Sequence, residues 1–176
     1  MTSNAAESSI FEVRPSSVGI LLQFQFTVHI LIAAALLYPE VQQMILNAIR
    51  SFYPVTSDML MIINSAPAIL VLLHAVYLFA FETSREYILT NERLIIRYGI
   101  FLRVEDEVEL YRIVDVTQSI GLIQRMFGVG NLTVTSTDRT GTVIMPAIKG
   151  PSDIRNAIRT EAEECKNRRG SIRILE

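Results

Sequence analysis

The two histidines of the chain, His29 and His74, each lie near the middle of a long apolar stretch. Ionisable side chains within membrane-spanning segments are functional candidates, because placing them in lipid is costly. Two imidazoles at one depth would suit a haem, a metal ion or a proton relay. The alternative is a hydrogen bond between helices, worth about 0.6–2 kcal/mol. With only two ligands and no supporting carboxylate, the sequence favours a helix contact, and we expect no cofactor.

Amide side chains accompany these histidines. Gln25 precedes His29 by one helical turn, and Asn64 lies in the second apolar stretch. Amides in membrane helices form hydrogen bonds between helices. We therefore predict an intramembrane helix contact involving Gln25, His29, Asn64 and His74, and a homo-oligomer or a larger complex.

Charged residues follow the second apolar stretch, and they suggest two further kinds of site. Arg85, Arg93, Arg97 and Arg103 are candidates for contact with anionic lipid headgroups, each worth about 1 kcal/mol near a membrane surface. The acidic run from Glu105 to Glu109 would bind a cation or a basic partner, or form a solvated strand face. The solvated face is the favoured interpretation.

Composition and motifs exclude several functional classes. The net charge of −2 does not suit a nucleic-acid-binding protein. The single cysteine, Cys165, excludes an internal disulfide, and we expect an exposed thiol on a helix. The sequence contains no glycine-rich phosphate loop, zinc-ligand spacing or nucleophile elbow. These absences favour a protein that is not an enzyme.

Two apolar stretches, about Val18 to Tyr38 and about Met59 to Phe81, predict the location of the chain. Each is long enough for a helix to cross the hydrocarbon core, which takes about 20 residues. The alternative, two buried helices of a soluble bundle, would normally show a charged face. We predict a transmembrane hairpin over residues 18–82, preceded by a mostly disordered tail (residues 1–17). In its loop, residues 39–58, helical spacing predicts either an amphipathic surface helix or an ordered loop.

The positions of basic residues predict the orientation of this hairpin. The loop contains only Arg50, whereas four arginines follow the second helix within about 22 residues. We therefore expect a multi-pass protein of the bacterial inner membrane, with both termini in the cytoplasm.

Beyond residue 82 the apolar pattern changes from helical to alternating. Apolar residues at every second position predict antiparallel strands, ending in a hairpin at residues 138–141. The Gly150-Pro151-Ser152-Asp153 segment then predicts a helix start, and we expect that helix to end near Lys166. The chain is thus expected to be an α+β membrane protein, with a cytosolic domain over residues 83–167 and a tail over residues 168–176.

Three motifs resemble the membrane-anchored bacterial PH domain family of the YdbS and YdbT type. The first is Tyr87-Ile88-Leu89-Thr90-Asn91-Glu92-Arg93-Leu94, followed by Gly99; the others begin at Leu110-Tyr111-Arg112 and at Arg125-Met126-Phe127-Gly128. The resemblance covers roughly residues 83–165. It implies a two-helix hairpin followed by a PH-like antiparallel β-barrel or sandwich, capped by one C-terminal α-helix. Tyr111 and Phe127 would then belong to its core.

The resemblance implies a membrane-associated interaction module rather than a catalyst. We expect a scaffold or an accessory subunit, whose partners are membrane lipids and a protein partner or a second copy, and no nucleic acid. Two alternatives remain: a subunit with a haem or metal at its histidines, and a sensor of anionic lipid headgroups.

Overall fold

The computed structural model describes residues 8–52 and 57–173, except for the side chains at 24, 57–64 and 171–173. The chain forms two compact units. The β unit combines the residues up to Ile20 with those from Phe81 onward, and the helical unit consists of Leu21–Ala80.

Within the part of the chain that the structure describes, seven antiparallel strands in two sheets form the β unit. The first sheet has the order β1-β2-β3-β4 and the second the order β5-β6-β7. The strands are β1 (Ser9–Val13), β2 (Glu86–Thr90), β3 (Arg93–Tyr98), β4 (Val104–Glu109), β5 (Ile113–Ser119), β6 (Val129–Ser136) and β7 (Thr142–Lys149). The two sheets do not close into a barrel, so the sandwich form of the prediction is confirmed and the barrel form is wrong.

Alternating side chains from both sheets fill the core of the β unit. Fully buried positions include Tyr87, Leu94, Leu132 and Met145. Period-two alternation directs these side chains inward while their neighbours face outward. A short 3₁₀ turn (Leu110–Arg112) links the sheets.

The described residues also form six helices: α1 (Ser17–Leu21), α2 (Phe24–Leu37), α3 (Pro39–Arg50), α4 (Ser57–Thr83), α5 (Leu122–Met126) and α6 (Pro151–Arg173). Helix α6 packs against β5, β6 and the 3₁₀ turn. Its apolar stripe of Ile158, Ala162 and Cys165 is buried in the core.

Both ends of the β unit differ from the predictions. Residues 9–13, expected within a mostly disordered tail, form edge strand β1 on β2. Helix α6 continues to Arg173, past the tail predicted from residue 168, and Arg168 and Arg169 contact Asn91 and Tyr111. The prediction that Cys165 is exposed is wrong, since it extends the buried stripe by one turn. Phe127 is exposed rather than in the core.

The helical unit does not consist of two unbroken helices, as the predicted hairpin would. The first apolar stretch is broken between α1 and α2, and α2 contains only 14 residues. Pro39 ends the first stretch as predicted and also begins α3, so the loop between the stretches contains a helix. Among the described residues, Ser65–Thr83 is the one helix long and apolar enough to cross a membrane, and Gln25–Leu37 with Pro39–Arg50 forms a pair bent by 67°.

Candidate functional site

A carboxylate surrounded by arginines forms the most concentrated charge cluster of the β unit. Glu86 begins β2, and its side chain is only 9% exposed. Its carboxylate oxygens lie 2.5 Å from Arg14 Nη2, 3.0 Å from Arg103 Nη2 and 3.7 Å from Arg97 Nη1. We call Glu86 and these three arginines the Glu86 cluster.

Strand pairing brings the Glu86 cluster together. In the β2–β3 hairpin Glu86 lies directly opposite Arg97. The β1–β2 pairing places Val13 opposite Tyr87, so the next residue, Arg14, lies beside Glu86 at the same end of the strands. Arg103 is the last residue of the β3–β4 loop, which begins at Gly99 with φ +115°. That positive φ strains side chains other than glycine.

The charges of the Glu86 cluster are balanced locally. Burial alone raises the pKa of Glu86, but hydrogen bonds with Arg14 and Glu12 and the nearby cations lower it, so the net pKa of Glu86 is below its ordinary value. Arg14 also pairs with Glu12 at 3.2 Å, and Arg97 pairs with Glu105 at 2.6 Å. A carboxylate held ionised in this way does not suit proton transfer near neutral pH. The cluster suits the binding of charged groups.

An open cavity of about 340 Å³ adjoins the Glu86 cluster. Its lining combines Arg14, Arg103 and Glu86 with apolar Ile100 and Phe101. The cavity therefore presents cationic and apolar groups side by side.

Tyr98, the last residue of β3, also lines this cavity. The hydroxyl of Tyr98 donates a hydrogen bond to Asp106 Oδ2 at 2.9 Å. That hydrogen bond raises the pKa of Tyr98. The ring of Tyr98 meets Phe81 edge-on, with centroids 6.5 Å apart.

The four arginines predicted to contact lipid do not form one group. Arg97 and Arg103 meet at Glu86, whereas Arg93 lies at the opposite end of β3 and pairs with Glu107 at 2.5 Å. Arg85 pairs with Glu82 at 3.0 Å and lies over the ring of Phe81. Whether any of them contacts lipid stays a prediction.

The acidic run on β4 lies beside cations of its own unit. Glu105 and Glu107 pair with Arg97 and Arg93 across the β3–β4 ladder. Glu109 pairs with Arg112 at 2.8 Å. Cross-strand pairs of opposite charge stabilise a sheet modestly. The run is thus part of a strand face whose charges are paired.

The two histidines meet within the helical unit. The ring centroids of His29 and His74 are 5.1 Å apart, and the rings are perpendicular. The Nδ1 atom of His29 lies 2.6 Å from the carbonyl oxygen of Gln25, one turn earlier. The side chain of Asn64, also predicted at this contact, lies outside the described residues.

The histidine geometry restricts what this pair could hold. Two imidazoles on opposite sides of one haem iron need ring centroids about 6.4 Å apart, from metal–nitrogen bonds of about 2 Å. The observed 5.1 Å is too short for that arrangement. Among the described residues, no group of three or more histidine, cysteine or carboxylate side chains could hold a metal ion.

The sequence contained part of the information needed to find the Glu86 cluster. A tight turn at Asn91-Glu92 sets the hairpin register and therefore pairs Glu86 with Arg97. The participation of Arg14 depends on strand β1, and the sequence analysis had assigned those residues to a tail.

Comparison with known proteins gives one match. A family model described as the bacterial PH domain matches residues 17–162. This range begins upstream of the resemblance seen in the motifs and includes the apolar helices. Neither the curated proteins nor the solved structures include a match to the chain.

Proposed function

Because the chain belongs to the bacterial PH domain family, we propose that it is a membrane-anchored PH-like interaction module without catalytic activity. In this proposal it acts as a scaffold or an accessory subunit of a membrane protein assembly. The helices anchor it as a hairpin in the bacterial inner membrane, and the β unit lies in the cytoplasm with both termini. The family match supports this proposal because it extends through the apolar helices.

The observation that best supports anchoring is the surface of α4. Large apolar side chains around this helix are exposed, among them Leu70, Leu73, Val76 and Tyr77. Burying one such side chain fully contributes about 1.5–3 kcal/mol. A helix with apolar groups on all sides is expected in the core of a large protein or in a membrane. Only 6% of its most apolar window is buried within the chain, which favours lipid.

Strand pairing favours two crossings over one. Strands β1 and β2 are hydrogen-bonded neighbours, so both lie on one side of any membrane. The chain between them, residues 14–85, must therefore cross an even number of times. If α4 crosses once, residues 14–56 must supply the second crossing. Helix α2 alone spans only about 21 Å at about 1.5 Å per residue, so it needs help from adjoining segments.

A topology experiment tests the hairpin. In a Cys165→Ala background, Asn47→Cys places a thiol on α3, and Arg139→Cys places one in the β6–β7 turn. A membrane-impermeant maleimide should label Asn47→Cys on intact spheroplasts, and Arg139→Cys only after permeabilisation. If intact spheroplasts label both variants, or protect both, the proposed anchoring is wrong. Release of the chain by carbonate washing would also contradict it.

A second experiment tests the scaffold role. Extraction of the native chain in mild detergent should yield a stable assembly, either of several copies or with another protein. Light scattering coupled to size exclusion gives its mass, and mass spectrometry identifies its components. A monomer without partners from native membranes would contradict this role while leaving the anchoring intact.

A metal bound by His29 and His74 is a second candidate function, favoured by the meeting of their rings. Two imidazoles at adjacent positions of a tetrahedral metal place their centroids about 5.2 Å apart, from metal–nitrogen bonds of about 2 Å. The observed distance is 5.1 Å, a value that an ordinary edge contact between two rings also gives. Metal analysis of the purified chain and of its His74→Ala variant separates the possibilities. Equal, sub-stoichiometric metal in both would leave a helix contact as the role of the pair.

A further inference from the structure

Two loops of the β unit expose large apolar side chains that the sequence analysis had not assigned to a surface. In the β3–β4 loop, Phe101 is 94% exposed and Leu102 is 76% exposed. In the β5–β6 connection, Leu122 is 83% exposed and Met126 is 84% exposed. Single exposed apolar residues are normal, but such groups on two loops indicate an interaction surface. We call these four residues the apolar tips.

Both loops lie at the same end of the β unit. The β3–β4 loop adjoins the Glu86 cluster through Arg103. From that cluster the chain continues past Arg14, and the amide of Ser16 donates a hydrogen bond to the carbonyl oxygen of Ala147 at 2.8 Å. Ala147 in turn is hydrogen-bonded to Asn131, which pairs with Ser119 at the start of the β5–β6 connection.

The polypeptide enters and leaves the β unit at this same end. It leaves after Ile20, one residue beyond Gly19, whose backbone packs against Ala147. It returns at Phe81, whose ring contacts Tyr98 at the start of the β3–β4 loop. The adjoining segments on both sides are the helices proposed to cross the membrane. The apolar tips therefore share one end with the two connections to those helices.

Cationic side chains lie next to the apolar tips on each loop. Arg14 and Arg103 point out of the Glu86 cluster with 65% and 69% of their side chains exposed. Arg125 is exposed on α5 between Leu122 and Met126. Carboxylates are present too, namely Glu12, Glu86 and Asp153, and the first two pair with Arg14. Apolar and cationic groups side by side are typical of segments that lie in the membrane interface.

We propose that this end of the β unit docks onto the bilayer, with the apolar tips inserted into the interfacial layer of the lipids. The occupant is a lipid surface rather than a protein, because the chain connects this end directly to its apolar helices. The inference rests on the proposed membrane anchoring. It adds a second contact with the membrane, which fixes the orientation of the β unit rather than leaving it on a flexible tether.

Lipid quenching of a fluorophore tests the docking in the full chain. In the Cys165→Ala background, Phe101→Cys and Leu122→Cys receive an environment-sensitive dye, and the protein is placed in nanodiscs of phosphatidylcholine and phosphatidylglycerol. Lipids brominated on their upper acyl chains quench dyes within the interface. Both positions should lose emission relative to unbrominated nanodiscs. Arg139→Cys, in the β6–β7 turn that is hydrogen-bonded to Arg112 and Glu107, should keep its emission.

A dye on α4 separates failure of docking from failure of anchoring. Val76→Cys is exposed on that helix and should be quenched whenever the helix lies in the membrane. If Val76→Cys is quenched while positions 101 and 122 behave like position 139, the docking is wrong and the anchoring stands. If position 76 also keeps its emission, both are wrong. The dye at position 101 could instead be shielded only in nanodiscs that hold two copies, with no quenching by bromine. That result would show a second copy as the occupant and would overturn the lipid assignment.

Discussion

Replacing Glu86 with glutamine should loosen the edge of the first sheet. The substitution keeps the shape of the side chain but removes the charge on which Arg14, Arg97 and Arg103 converge. Strand β1 depends most on this charge, because among the described strands it is hydrogen-bonded to β2 alone. The expected result is local opening of β1 from β2 rather than global unfolding.

The size of the expected loss of stability depends on how deeply each partner of the ion pairs is buried. Removing a buried charge from a fully buried pair costs about 3–5 kcal/mol. Here the carboxylate is buried, but the guanidiniums of Arg14 and Arg103 are mostly exposed and regain water when it is lost. We therefore expect a loss of about 1–2 kcal/mol, within the range of charge-assisted hydrogen bonds.

Hydrogen exchange of the full chain in nanodiscs measures this loss. At neutral pH, amides of β1 and β2 in Glu86→Gln should exchange about 5–30 times faster than in the native chain, the factor that matches 1–2 kcal/mol. Glu163→Gln, on the exposed side of α6, is the matched control and should change little. Equal exchange in Glu86→Gln and the control would refute the assignment of stability to the Glu86 cluster.

Acid should remove the same stabilisation. Because the folded chain lowers the pKa of Glu86, the carboxylate contributes stability above its ordinary pKa of 4.5. That contribution is lost as the pH falls through the lowered value. The difference in exchange between the native chain and Glu86→Gln should therefore shrink in acid. A difference that grew on acidification would contradict the direction of the shift.

Three other substitutions probe separate parts of the β unit. Gly99→Ala places a Cβ 1.9 Å from the carbonyl oxygen of Leu102 at φ +115°, so hydrogen exchange in the β3–β4 loop should rise. Ile158→Ala, fully buried on α6, should destabilise the β unit by about 2–5 kcal/mol in denaturant melts followed by circular dichroism. Asp106→Asn should lower the raised pKa of Tyr98, so an ultraviolet difference titration should show tyrosinate forming at a lower pH than in the native chain. An unchanged titration would contradict the hydrogen bond to Asp106 as the cause of the raised pKa.

The strands after residue 85 were predictable because period-two alternation and turn residues are local signals. The predicted hairpin at residues 138–141 forms, with Gly141 at φ +63°. Strand β1 was missed because its sequence, Ser9–Val13, has one polar and one acidic residue in five positions and is stabilised by pairing with a strand more than 70 residues away. Such long-range pairing leaves no local pattern.

Helix ends and exposed apolar residues were harder to predict than strands. The predicted helix end near Lys166 is wrong, because contacts hold the residues that follow it. Arg168 donates a hydrogen bond to the carbonyl oxygen of Asn91, and Arg169 lies 3.8 Å from the ring centroid of Tyr111. Phe127 was expected in the core because large apolar side chains usually are buried. Composition alone cannot distinguish a core residue from one that faces a membrane or a partner.

The same geometry restricts where a protein partner of the proposed module would bind. If one end docks on lipid as proposed, the face of that end is unavailable, and α6 covers one side of the sandwich. The accessible surface then consists of the outer sheet faces and the opposite end of β3, where Arg93 is located. Charged ladders such as Arg93–Glu107 favour a polar, exchangeable contact over a permanent apolar one. In the proposed topology, a partner bound there would approach from the cytoplasm.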